Sequence, residues 1–372
     1  MPRARSSDPY AALVALRLQN SRLVGAPFAT PEAAVQWHGA MQAQDYAAVK
    51  WAIGQRVHDA PESDVESAID CGRLLRTHVL RPTWHLVIPA DIRWMLKLTA
   101  PRIRAFMSYY DRQLELDEAT FRRSNATIAK ALRGGRNLTR NELGSALSDA
   151  RIVASGQRLG HLLMRAELDG VVCSGPRRGK QFTYALLDER APPSPPLASD
   201  EALATLARRY VRSHGPCSVQ DFSWWSGLSV SDAKAGIEAI QPELERLELG
   251  KKTYWLSGKS RAPRLTEPAC HLLPNYDEYL VAHKDHAPLI AAAPERLGGA
   301  HNLLRAPIVE NGKIIGTWRR TLEKSVVEVK LELHEAPSRA VRTALRAQAQ
   351  RYAAFLGLRL RLVAPAGRKA RA

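Results

Sequence analysis

The chain is poor in the residues that mark several common chemistries. Its 372 residues include four cysteines, Cys71, Cys173, Cys217 and Cys270. They stand far apart, with no Cys-x-x-Cys pair and no Cys/His cluster at zinc spacing, so they read as small core residues and not as metal ligands. No apolar run approaches the roughly 18 residues of a spanning helix, and MPRARSSDPY at the start lacks the apolar centre of a secretory signal. The expectation is a cytoplasmic, nucleoid-associated protein with no membrane partner. There is no GxxxxGK, no GxSxG and no GxGxxG, which excludes the usual phosphate loops and the hydrolase nucleophile elbow. His283-x-x-His286 near Asp277 and Glu278 lacks a third and fourth ligand at suitable spacing, so no metal and no cofactor is assigned. Acidic residues are scarce as well: 37 Asp and Glu stand against 54 Lys and Arg, a formal charge of +17. Of the basic residues 41 are Arg and 13 are Lys, and the guanidinium grips phosphate bidentately. A GC-rich genome also favours Arg codons. A field this positive nonetheless suits a polyanion, with nucleic acid the first candidate.

The hydrophobic pattern predicts helices followed by short strand pairs. The Pro-rich run Ala191–Pro196 reads as a linker, and Arg133-Gly134-Gly135-Arg136 as a softer boundary. Between them, Thr139 and Glu142 form a capping box at a helix running to about Ala150. A second helix follows from Ser155 to about Leu168, then strands near Val171–Cys173 and Phe182–Tyr184 joined by a basic turn. Helix, turn, helix and a basic hairpin make a winged-helix pattern. Similar orders occur before it, with Thr30 and Pro31 opening a helix and a hairpin at 74–88, and after it. There a helix spans about Glu201–Ser213, caps stand at Ser218/Asp221 and Ser229/Asp232, and Leu244–Leu249 pairs with Thr253–Leu256. Asn311-Gly312 marks a further hairpin, Val326–Leu333 a strand, Ser338–Phe355 a helix and Leu358–Val363 a last strand. The expected fold is mainly α with β-hairpin wings. It comprises a first unit over 10–132, a second over 133–190, a linker and third unit over 191–262, and a small α+β domain over 263–365 packed on the third unit. Both ends of the chain read as loose basic tails.

Three blocks carry a resemblance. Met41-Gln42-Ala43-Gln44-Asp45, Arg76 to His85 (RTHVLRPTWH) and Leu272 to Tyr279 (LLPNYDEY), with Asn311 to Arg320 adding to them, are similar to the tandem winged-helix family that contains the DNA glycosylases AlkZ and YcaQ. The resemblance runs from about Leu16 to Arg320. It implies a C-shaped protein whose basic concave face holds duplex DNA, and an activity that excises alkylated bases, cross-linked guanines among them. The family's central Gln-x-Gln falls on Gln42 and Gln44, the form found in the AlkZ branch, whereas the YcaQ branch ends the motif in Asp.

A base alkylated at N7 is already cationic and leaves without a general acid, so the protein must place a water and stabilise an oxocarbenium-like state, as in glycoside hydrolysis. Two Gln carbonyls one residue apart can hold that water. Asp45 is the adjacent ionised carboxylate and a secondary electrostatic candidate. The plain alternative is that Gln42 and Gln44 only end a helix at the surface. Candidate DNA contacts are Arg76, His78, Arg81, Thr83 and His85 on the first hairpin, and Arg177, Arg178 and Lys180 on the second. Lys251 and Lys252 lie on the third, and Arg319 and Arg320 follow Trp318. For His78 and His85 a local hydrogen-bonded pair is the alternative; for the second turn, a solvated loop; for Trp318, burial against the third unit. Trp224 and Trp225 read as core. The expectation is a monomeric, duplex-binding glycosylase with no protein partner. The other reading is a non-catalytic regulator or lesion sensor with the same surface.

Overall fold

The computed structural model describes residues 8–258, 261–290 and 306–363. The two basic tails lie almost wholly outside them. Within the described residues one order of elements occurs three times: a helix, a short strand, two helices and a hairpin whose second strand pairs back to the short strand. In the first, helices Pro31–His38, Tyr46–Gly54 and Glu62–Asp70 accompany strands Met41–Gln42, Leu75–His78 and Trp84–Val87, with Trp84–Val87 in the middle of the sheet. In the second, helices Glu118–Leu132, Arg140–Asp149 and Gly156–Leu168 accompany strands Leu138–Thr139, Val172–Ser174 and Thr183–Leu186, again with the last strand central. In the third, helices Ser199–His214, Val219–Ser226 and Val230–Ala239 precede strands Leu244–Leu249 and Lys252–Ser257, and the short strand shrinks to a bridge between Cys217 and Trp255.

Side-chain caps start these helices where the sequence places them. Thr30 accepts from Ala33 N–H and Asp45 from Ala48 N–H. Thr139/Glu142 and Ser218/Asp221 form reciprocal capping boxes, and Ser229 accepts from Asp232 N–H. Each such bond satisfies a donor that the first helical turn leaves unpaired. The C-terminal part is a five-stranded sheet in which Arg359–Val363, Val326–Leu333, Lys313–Leu322, Pro307–Glu310 and Cys270–Leu272 lie side by side in that order. The Asn311-Gly312 turn closes its hairpin with φ of 48° and 82°, the left-handed pair that this turn requires. Helix Arg339–Phe355 makes the crossover to the parallel last strand. Among the described residues no helix is long and apolar enough to cross a membrane.

Packing departs from the sequence reading in four places. The turn at Arg133–Arg136 does not separate two cores: Phe121, Ile128 and Leu132 share one core with Leu143, Leu147, Leu162 and Val172, so helix Glu118–Leu132 packs with the elements after it. The C-terminal sheet joins chiefly the first repeat, because Trp51 and Leu86 lie in one core with Leu272, Trp318 and Tyr352. Trp318 is buried there, and its indole donates to Leu273 O at 2.7 Å. Gly54 permits this docking, since a Cβ at that position would overlap the Phe355 ring. Trp225 is core, but Trp224 is 46% exposed, because adjacent helical residues point about 100° apart. Cys71 is exposed while Cys173, Cys217 and Cys270 are buried.

Candidate active site

The Gln-x-Gln residues sit on the two-residue strand Met41–Gln42 and the turn after it. This strand is an edge: it pairs only with Trp84–Val87, with Gln42 opposite His85. Its free side is taken by an acid from the far end of the chain, as Gln42 N–H donates to Glu278 Oε1 at 2.6 Å. The Gln42 side chain is half-buried, and its Oε1 is a buried acceptor with no protein partner. Directly across the strand pair, His85 donates from Nδ1 to Thr83 O at 2.9 Å, which leaves Nε2 as a second buried acceptor with no protein partner. Burial, reinforced by the nearby Arg81 cation, pushes His85 down to about 3, so the ring is neutral and Nε2 bare. Cross-strand neighbours share a face of the sheet. Gln44 is exposed, and its Oε1 accepts weakly from Trp84 N–H at 3.5 Å.

Asp45 is otherwise engaged. One carboxylate oxygen caps helix Tyr46–Gly54 through Ala48 N–H at 3.0 Å, and the other accepts from Asn275 Nδ2 at 3.3 Å.

Glu278 is 1% exposed. Its Oε2 accepts from Trp225 Nε1–H at 3.0 Å and lies 3.4 Å from His214 Nε2. Burial alone would raise its pKa, but the His214 contact and the Gln42 N–H outweigh that and hold the carboxyl at about 2. It is therefore an ionised group inside the protein.

The first hairpin is turned inward. Arg76 donates to Ala43 O at 3.0 Å and stacks 4.3 Å from the Trp84 ring and 4.8 Å from Phe182. His78 pairs through Nδ1 with Glu167 and packs on Trp84 at 4.3 Å between centroids. Arg76, His78 and His85 are buried, so their expected role as phosphate contacts is corrected: Arg76 braces the Gln-x-Gln strand through Ala43 O, His85 stands beside Gln42 on one face of the sheet, and His78 forms part of the wall of the cavity beside Trp84. Arg81 and Thr83 are half-buried; Arg81 Nε and Nη2 and Thr83 Oγ1 have no protein partner, and Arg81 lies 5.7 Å over the Trp224 ring. Between this hairpin and helix Gly156–Leu168, a cavity of about 510 Å³ opens, lined by Trp84, Tyr110, Arg140, His161, Met164 and Tyr184 among others.

The second turn faces out. Arg178 and Lys180 are exposed, with Arg178 paired to Glu142 and Asn137 O, both at 2.7 Å. Arg177 is half-buried on Tyr46 and Phe182. On the third hairpin Lys251 and Lys252 are exposed, Lys252 beside Asp285. Arg319 is exposed, whereas Arg320 leans over Tyr352. In the sequence Glu278, His214 and Asn275 carry no assigned site role, and Trp225 reads only as core. Asn275 and Glu278 lie within one resembling block, but contacts across 230 and 236 residues have no local signal.

Comparison with known proteins adds identity to this geometry. A DNA glycosylase AlkZ-like family pattern matches residues 35–355. The chain is 26% identical over 324 residues, 81% of its own length and 85% of the relative's, to an interstrand DNA cross-link repair glycosylase of Streptomyces sahachiroi. The solved structure of the Streptomyces sahachiroi DNA glycosylase AlkZ superposes with a TM-score of 0.77 at 22% identity, covering 97% of this chain and all of that one; this is a likeness of fold, mixed in helix and strand. The class is thus a DNA-binding repair enzyme that acts on damaged DNA as a glycosylase. More closely, the chain belongs to the AlkZ-like DNA glycosylase family, which favours the catalytic expectation over the regulator.

Proposed function

We propose that this protein hydrolyses the N-glycosidic bond of N7-alkylated guanines in duplex DNA, cross-linked guanines included, with Gln42 and Gln44 at the reacting centre and no cofactor. The observation that carries this reading is the Gln42 Oε1 acceptor, buried without a protein partner opposite the bare His85 Nε2. A buried acceptor wants a donor, and two on one face suit a single water. A cationic base departs unaided, so such a water needs to be held more than deprotonated. With its carboxylate capping a helix, Asp45 supports the motif's geometry and does not serve as a base. The Streptomyces relative is an interstrand DNA cross-link repair glycosylase, and the proposal extends accordingly to bulky lesions. The cavity beside Trp84 is within the range of about 300–1,000 Å³ that holds small ligands, which suits a base carrying a large substituent.

The three repeats are proposed to be tandem winged-helix units, the second beginning near Leu116 and not at Arg133. Their exposed Arg178, Lys180, Lys251 and Lys252, with Arg319, are the proposed phosphate contacts of a monomer on duplex DNA. The test is release of 7-methylguanine from methylated duplex by the purified protein beside Gln42→Ala and Gln44→Ala. Loss of release with folding and duplex binding intact supports the assignment. Undiminished release by both variants removes it.

A further inference from the structure

We propose that Glu278 is a positioning residue of the glycosylase site, acting through the Gln42 main chain; this rests on the reading of Gln42 given above. A two-residue edge strand is poorly fixed by its own ladder, because only one side is paired. The side that matters here is held from elsewhere. Segment 275–278 holds both sides of the Gln-x-Gln motif: Glu278 Oε1 takes Gln42 N–H at 2.6 Å, and Asn275 Nδ2 reaches Asp45, the residue after Gln44, at 3.3 Å. The segment is itself anchored, since Asp277 accepts two bonds from the buried Arg56 guanidinium, at 2.9 and 2.7 Å. Tyr276, between these anchors, adopts a φ of 59°, a left-handed conformation that a bulky residue keeps only where its surroundings impose it.

The acceptor is also chemically chosen. An ionised carboxylate makes a hydrogen bond about twice as strong as a neutral acceptor, and Trp225 Nε1–H holds the other oxygen, with His214 Nε2 3.4 Å away. Glu278 touches no reacting atom in this arrangement. Its effect is to set where the Gln42 amide stands, and a misplacement of about 1 Å at a reacting centre costs on the order of a hundredfold in rate.

Steady-state excision of 7-methylguanine, titrated with substrate to give kcat and KM, tests this with Glu278→Gln and Glu278→Ala, alongside the duplex Kd and the melting temperature. Glu278→Gln keeps the size and one acceptor but loses the charge; it is expected to lower kcat about tenfold with KM and Kd within about twofold. Glu278→Ala is expected to lower kcat about a hundredfold. In a Gln42→Ala background, Glu278→Gln is expected to cost nothing further, because the residue acts through Gln42. Wild-type kcat in Glu278→Gln overturns the proposal, as does a loss matched by weaker duplex binding or one repeated in full on top of Gln42→Ala. Should Glu278→Ala fail to fold, Glu278→Gln decides alone. If Gln42→Ala is inactive while Glu278→Gln is normal, positioning by Glu278 fails and the Gln42 reading stands; if Gln42→Ala is fully active, both fall.

Discussion

The first two hairpins are both basic and have opposite fates. RTHVLRPTWH and GPRRGKQFTY are both basic turns between short strands, and both read as candidate phosphate contacts. In the first, Arg76 and His78 are buried against Ala43, Glu167 and Trp84, and His85 is buried opposite Gln42. In the second, Arg178 and Lys180 stand in solvent. The difference lies in what covers each hairpin. The first is paired to the strand bearing Gln42 and packed by helix Gly156–Leu168, which supplies Glu167 to receive His78; the second ends in a turn whose Arg178, Gly179 and Lys180 are exposed. A basic hairpin is therefore a contact surface or an internal brace according to its neighbours, and the same charge stabilises a site in one place and draws a ligand in the other.

Several measurements sharpen or break this contrast. The largest effect is expected on the edge strand that the inward hairpin supports: Gln42→Ala should lower excision at least about a hundredfold, the scale of removing one preorganised polar group from a transition state. A smaller loss would mean that the water is held mainly by other groups. Next is the brace itself. Arg76→Ala removes a bond to Ala43 and two ring contacts, and should cost about 2 kcal/mol or more in urea unfolding. An unchanged midpoint would place Arg76 among the surface residues after all.

Acid should act on the inward side too. The His85 pKa of about 3 lies below the 6.5 of an ordinary imidazole, so the unfolded chain takes up the proton first as pH falls. The stability due to neutral His85 is thus full above about 6.5 and is lost progressively toward 3. His271, likewise pushed by burial to about 3, adds to the same slope, and Glu278, at about 2 against 4.5, adds a further loss only below about 4.5. Melting temperature should accordingly fall between pH 7.5 and pH 5.5, and a flat profile would show that the imidazoles are not held neutral. The smallest change belongs to the outward turn. Arg178→Ala with Lys180→Ala should flatten the log–log salt dependence of duplex affinity by about one to two units, at about 0.9 per phosphate, with little change in melting. No change in slope would turn that hairpin away from the duplex.

Much of the secondary structure was legible because it rests on local signals. Thr30, Thr139 and Ser218 mark helix starts through bonds three residues away, and Asn311-Gly312 marks a turn through backbone conformations that few other pairs adopt. Gln42 and Gln44 were legible through resemblance alone, since nothing in Met41–Asp45 announces a site. Trp224 and Arg76 were misread for one reason: composition and spacing say which residues are apolar or charged, but not which face is covered. The boundary at Arg133 failed similarly, as a Gly-Gly turn looks the same between two cores as within one.

By itself, then, the sequence determined the elements, their order in three repeats, the positive field and the family. Only the tertiary structure decided that the C-terminal sheet closes on Trp51, that the first hairpin is internal, and that Glu278 meets Gln42 across 236 residues. Caps and turns are set by bonds within a few residues, whereas a contact between distant segments follows from how all the apolar faces are buried at once, and no short stretch of chain holds that information.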